Sequence, residues 1–266
     1  MLTLIFVFWI IAISSILAFN TNYSSLWRYS IISTATERIK YYPEALTVLK
    51  MSLKELRELS SATTLELVID NKNWYVNITD GGSGFNPNEL KEEELKEILM
   101  TFCNLHEGTR LSIVLDSFLD WTDSDSFRRL NGAEEDFYKN YKPRNGQILD
   151  KRELLYIRGF NSELYKCVSP LINVYGSGKF SLNWAPLRQL KALGLPATLI
   201  EEIKKTRRNN EKKWDILLSQ VPPNIKKWIS LEPSGIYKVN VQLKNSKVSY
   251  SFLWDEGRRK ILAINF

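Results

Sequence analysis

The chain of 266 residues carries 36 Lys and Arg against 30 Asp and Glu, a net charge of +6, with 44 % apolar and 25 % charged residues. That balance excludes a disordered tail and a multi-span membrane protein, and the length admits one or two domains. Two cysteines and a single histidine, His106, exclude a disulfide-dense scaffold, a cysteine-only zinc site and any zinc site that needs two histidines.

The first predicted element is residues 2–19, LTLIFVFWIIAISSILAF, where only Thr3, Ser14 and Ser15 are polar. No charge occurs before Arg28, so the stretch is long enough to cross a hydrocarbon layer of ~30 Å as one helix. A cleaved signal peptide would open on a basic region, which is missing. A buried core helix fits poorly with the extreme N-terminal position. The sequence reads as a single N-terminal anchor over residues 1–24, with the rest of the chain on one side.

Residues 25–60 contain no Gly and one helix breaker, Pro43. Ile31, Ile32, Ala35, Ile39, Tyr42, Leu46, Leu49, Leu53 and Leu56 recur at spacings of three and four, which lines one helix face. The spacing predicts a long amphipathic helix continuing the anchor, ~80 Å in all, with a kink expected near Pro43. A loop over residues 20–25 is the alternative. Residues 65–78 have strand composition around a turn at Asp70–Asn73. The Gly-rich TDGGSGFNPNEL that follows lacks the Gly-Lys-Ser/Thr ending of a phosphate loop.

Helical periodicity returns at 90–102 and 111–119. Residues 150–172 predict two short helices around Arg-Gly-Phe, and 183–207 repeat that shape around Gly-Leu-Pro, with Asn183 as a cap for a helix that includes Pro186. Paired short helices of this kind resemble helix-hairpin-helix units, which bind duplex backbones, and are also a common packing unit. Lys204, Lys205, Arg207, Arg208, Lys212 and Lys213 form a basic cluster nearby. Residues 236–243, IYKVNVQL, alternate strictly, and 247–254 and 260–266 are also strand-like, with turns at Asn245-Ser246 and Glu256-Gly257. Three antiparallel strands covering the N-terminal helix, with a helical middle region inserted, make one α+β unit.

The most informative segment is 116–138, DSFLDWTDSDSFRRLNGAEEDFY. It holds seven acids against Arg128 and Arg129, a net of −5, whereas residues 137–266 carry +14. Clustered carboxylates repel one another unless a cation intervenes. Calcium suits them, taking about six to eight hard oxygen ligands. Asp120, Asp123 and Asp125 can converge where a helix ends, Asn131-Gly132 supplies a turn, and Glu134 or Asp136 can return a carboxylate. The spacing is not that of an EF-hand. A polar loop with helix caps at Asp120 or Ser124 and ion pairs to the arginines is the alternative, and composition does not choose between them. An enzyme reading lacks a second group: His106, in CNLHEGTR, stands apart from any triad or metal pattern, and Ser112 and Ser117 sit in ordinary helical positions. Cys103 and Cys167 pair, or remain two buried thiols.

Taken together, these segments resemble the K-type minor pseudopilins of the bacterial type II secretion system. The resemblance rests on the anchor with Trp9, on WYVNITDGGSGFNPNEL, on LDSFLDWTDSDSFRRLNGAEEDFY, on NGQILDKRELLYIRGFNSELYKCVSPLINVYG and on FSLNWAPLRQLKALG. It implies a pilin-like fold, a long N-terminal helix on an antiparallel sheet, with an inserted mainly helical domain. The division it suggests is an anchor at 1–24, a head at 25–90 and 221–266, and an insertion at 91–220. It implies a non-catalytic role at the tip of a periplasmic pseudopilus, helping start its assembly and the export of folded proteins, with I- and J-type minor pseudopilins as partners. The inner membrane would hold the anchor, and neither nucleic acid nor a small-molecule substrate is expected. It further implies bound calcium, with Asp120, Asp123, Asp125, Asn131, Glu134 and Asp136 as ligands and Asp116 nearby. Family members begin with a short basic leader ending in Gly, and this sequence opens inside the apolar segment. It also lacks a Glu near position 5, as K-type members do. Two other readings stay open: a membrane-anchored helix-hairpin-helix DNA-binding protein of an uptake system, and a minor pilin of a related filament.

Overall fold

The structure, a computed structural model, describes residues 2–265, and the side chains of residues 2–13 and 17–30 lie outside the described ones. Helix α1 runs from Leu2 to Glu55 with Pro43 inside it, so the chain is helical through 20–25. Among the described residues no helix is long and apolar enough to cross a membrane. The expected anchor falls largely on side chains outside that set.

The lower half of α1 buries Ala45, Val48, Leu49 and Ser52, a stripe continued by Leu56 in the 3-10 turn Leu56–Glu58. The Ser52 hydroxyl is satisfied within the helix by the Val48 carbonyl at 2.8 Å. The upper part of the predicted stripe behaves differently: Ile31, Ile32 and Ile39 are exposed. Only the lower helix packs on the sheet, so periodicity alone overstated the length of the buried face.

That sheet has the order β1-β2-β5-β6-β7, antiparallel throughout. Strands β1 (Thr63–Ile69) and β2 (Lys72–Asp80) form a hairpin whose turn residues Asp70 and Asn71 adopt φ of 49° and 60°. Asn and Asp tolerate this left-handed conformation, which a two-residue hairpin turn requires. After the inserted region come β5 (Ile236–Leu243), β6 (Ser249–Asp255) and β7 (Lys260–Asn265), the first expected from strict alternation and the other two from strand-like composition. Trp74, Val76, Ile78, Val239, Val241 and Phe252 point inward and are fully buried against α1.

Between β2 and β5 lie α2 (Glu92–Cys103), α3 (Thr109–Thr122), a 3-10 segment (Lys151–Tyr156), α4 (Ser162–Val168), β3 (Phe180–Ser181), α5 (Leu187–Ala192), α6 (Ala197–Arg208), α7 (Trp214–Ser219), α8 (Pro223–Lys226) and β4 (Ile229–Ser230). These build a second core around residues such as Phe85, Leu99, Val114, Ile157, Leu190 and Ile203. Two short predicted elements differ in detail. Residues 151–156 wind as a 3-10 helix, the tighter form that short runs adopt, with Asp150 and Glu153 closing a capping box. Asn183 does not cap α5, which starts after Pro186 without a side-chain cap. Its side chain instead donates to the Ser60 carbonyl at 2.9 Å.

The two cores are sewn together at their crossings. The Asp80 carboxylate, at the end of β2, accepts from the Gly82 amide at 2.9 Å, the Ser83 hydroxyl at 2.8 Å and the Ser234 amide at 3.1 Å. One side chain therefore ties the strand leaving the head to the strand returning to it. This is what the Gly-rich loop does: its backbone wraps a buried carboxylate rather than a phosphate. Asn173 reinforces the loop by donating to the Gly81 and Ser83 carbonyls at 2.7 and 3.0 Å.

Candidate functional site

The acidic segment follows α3. Asp116 and Asp120 lie one helical turn apart in α3, and Asp123 is the residue at which the helix ends. Asp120 is fully buried. Among the described residues a single cation reaches it: the Arg129 guanidinium donates to Asp120 at 2.7 Å and to Asp123 at 2.5 Å, and the Arg129 amide adds a bond to Asp120 at 3.2 Å. These carboxylates hold Arg129 above its ordinary pKa, although partial burial acts against them. Gly132 makes the close approach possible, because a Cβ there would lie 1.9 Å from the Asp120 Oδ2.

Glu134 is buried, and neither of its carboxylate oxygens has a hydrogen-bond partner. Burial, followed by repulsion from Asp120, Asp123 and Asp125, raises its pKa. Asp123 Oδ1 is likewise buried without a partner. Asp125 bonds the Phe127 amide at 2.8 Å, and its carbonyl accepts from Asn145 at 2.8 Å, whose own side-chain oxygen is a further buried orphan. The remaining expected ligands are placed elsewhere. Asn131 donates from its amide and side chain to Asp116 at 2.9 and 3.1 Å, and Asp136 is an exposed partner of Arg128 at 2.8 Å. Asp120 lies inside α3 and Ser124 in the bend after it, so neither is a helix cap.

Asp120, Asp123, Asp125 and Glu134 thus form one electrostatic group, with Asp136 and Asn131 at its edge. Among the described residues no three His, Cys, Asp or Glu side chains are gathered as a ready metal site. The donors nonetheless suit a hard cation: all are oxygens, and three carboxylate oxygens are buried without donors. Arg129 supplies the only charge that faces Asp120 and Asp123 directly among the described residues. The ion pairs to the arginines that the sequence offered as an alternative are present: Arg128 pairs with Asp136, and Arg129 with Asp120 and Asp123.

An aromatic wall supports the loop. Trp121 packs edge-on to Tyr138 with centroids 5.4 Å apart, and Arg158 lies over Phe137 while donating to the Gly132 carbonyl at 2.9 Å. On the other side, Cys103 at the end of α2 is bonded to Cys167 in α4, which resolves the open cysteine question. His106 is an exposed loop residue between α2 and α3. In the basic cluster, Arg207 turns inward and donates to the Leu182 and Ala185 carbonyls at 2.8 Å each, and Lys213 pairs with Glu211 at 2.8 Å.

A long helix on a five-stranded antiparallel sheet, interrupted by a disulfide-tied helical insertion with an acidic loop, defines a pilin-like protein with an inserted domain. Residues 83–177 match the sequence model of the family described as Type II secretion system (T2SS), protein K. It is 36 % identical over 70 residues to the type II secretion system protein K of Dickeya chrysanthemi, covering 26 % of this chain and 20 % of that protein. It is 30 % identical over 105 residues to the protein K of Pectobacterium carotovorum subsp. carotovorum, covering 38 % of this chain and 32 % of that protein. The matched stretches therefore span a fifth to a third of those relatives. A similar fold occurs in the crystal structure of the GspK-GspI-GspJ complex from the enterotoxigenic Escherichia coli type 2 secretion system, with a TM-score of 0.60 at 15 % identity, over 90 % of this chain and 98 % of that one.

Proposed function

We propose that this protein is a minor pseudopilin of the K type, which caps a pseudopilus together with I- and J-type subunits and helps start its assembly and the export of folded proteins. The observation that carries this reading is the architecture itself: a helical domain inserted between β2 and β5 of a pilin-like head, on a chain whose residues 83–177 match protein K. The function is mechanical rather than catalytic. The upper part of α1 leaves the head with Ile31, Ile32 and Ile39 exposed, an apolar surface suited to neighbouring helices. Residues 1–24 would anchor the chain in the inner membrane, with the head on the periplasmic side. The Cys103–Cys167 bond is consistent with that oxidising compartment.

Calcium belongs to the same proposal. Asp120, Asp123, Asp125 and Glu134 would hold it, with Asn131 and Asp136 as the outer members of the set. It would supply the positive charge that the orphaned oxygens of Glu134 and Asp123 lack. The chain's own residues prepare the loop. Arg129 holds Asp120 and Asp123 in place, and Gly132 leaves room for them.

The test is co-purification of the full chain with the I- and J-type subunits of the same system in calcium-containing buffer. A stable ternary complex is expected. Failure to assemble, with each component shown to be folded by its thermal melt, overturns the role and favours a different pilin-like system.

A further inference from the structure

One surface remains without an assignment. The outer face of the sheet, opposite α1, carries a polar row across all five strands: Thr64, Asn77, Asn240, Ser251 and Asn265 stand opposite one another in register. Strands lie ~4.8 Å apart, so the row is ~19 Å long. The inserted domain forms a wall along this face. Two cavities follow the junction, one of about 500 Å³ beside Thr64, Asn77 and α6, the other of about 360 Å³ beside Ser251 and Asn265. Both are lined by Pro186 and Arg188, so they read as one groove.

The groove is strongly basic. Lys204 and Arg208 line its first part, Lys151 and Lys238 its second, and Arg188 both. Among the described residues no salt bridge engages Arg188, Arg208, Lys151 or Lys238, and Lys204 has only an exposed contact at 3.8 Å to Glu201. The acids that line the groove are already committed. Asp80 accepts from Gly82, Ser83 and Ser234, and Asp150 is paired with Arg152 at 2.6 Å. Burial and the neighbouring Arg188 charge depress both Lys151 and Lys238. Among the described residues, five cations beside a row of amides and hydroxyls thus lack an anionic counterpart within the groove.

We propose that this groove docks an extended, acidic polypeptide segment of a partner protein. The length of the row matches about six extended residues. Asn, Ser and Thr side chains offer hydrogen bonds to a peptide backbone, while the cations on the wall take carboxylates. Single-stranded nucleic acid would need stacking platforms, and the floor row has no aromatic ring, Tyr175 lining only the second cavity. The groove lies on the sheet face away from α1.

The test uses the full chain in neutral detergent and fluorescence anisotropy. The probes are a labelled twelve-residue peptide alternating Asp or Glu with Ser, and a single-stranded oligonucleotide of equal charge. Saturable peptide binding is expected. It should weaken at least about tenfold in Arg188→Glu/Lys238→Glu, and between 0.05 and 0.3 M salt, but not in Lys139→Glu outside the groove. All three substituted side chains are partly or fully solvent-exposed, and unchanged melting of the variants confirms folding. No peptide binding, equal binding by the double variant, or preferential binding of the oligonucleotide overturns the proposal.

Discussion

Arg129 stands where a metal ion would otherwise be the obvious neutraliser. A buried carboxylate such as Asp120 is costly without a partner, and this guanidinium faces it and Asp123 together. Replacing Arg129 by Ala therefore leaves a buried charge exposed to repulsion from its neighbours. Because Arg129 is itself partly solvated, the expected loss is about 1–2 kcal/mol, read by urea unfolding in chelator. If calcium binds the same oxygens, the variant depends on it more. Adding calcium should raise the melting temperature of Arg129→Ala further than that of the unsubstituted chain. A calcium response absent from both proteins would rule out the ion and leave Arg129 as the counter-charge of Asp120 and Asp123. The acids were legible in the sequence because seven of them crowd into 23 residues. Their partition was not, since Asp136 turns outward to Arg128 and Asn131 backs onto Asp116 through bonds that only the folded loop defines.

Elements were legible where periodicity and burial agree. Strand β5 alternates in sequence and in burial, and the Asp70-Asn71 turn announces its hairpin. Where burial changes along one element, pattern alone misleads, as in α1, whose stripe continues beyond the sheet that covers it. Nor does sequence show which distant segments meet. The Cys103–Cys167 bond joins the end of α2 to α4, closing a loop of 64 residues. Reduction, or replacement of both cysteines by Ser, should cost about 2–4 kcal/mol and show as a lower urea midpoint. The head responds to a different stress. Tyr237 and Tyr250 face the α1–sheet core, and burial pushes both phenols up to about 12 from an ordinary 10.0. For a phenol raised in the folded state, the stabilising contribution is complete below pH ~10 and is lost as pH rises through about 12. Alkaline unfolding of the head should therefore coincide with tyrosinate absorbance, and Tyr237→Phe should move the midpoint to higher pH.

At the scale of the molecule the question is whether two cores behave as one. The seam between them is narrow and specific. Ala62 donates to the Asn183 carbonyl and Asp80 to the Trp184 carbonyl, each at 2.9 Å, and the Asn183 side chain returns a bond to Ser60. Trp184 belongs by sequence to the insertion, yet its ring is buried in the head cluster, edge-on to Tyr237 at 5.3 Å. It acts as a peg through which the insertion reads the state of the head. Trp184→Ala removes the peg, leaves a cavity and should cost about 3–5 kcal/mol. The shape of the transition should change as well. With the seam weakened, the insertion, still held by its own core and disulfide, unfolds apart from the head, and calorimetric enthalpy exceeds the van't Hoff value. Ile203→Val, inside the insertion core, should lower stability while keeping a single transition. A single sharp transition in Trp184→Ala would instead mean that the Asp80 and Asn173 bonds suffice to couple the two cores.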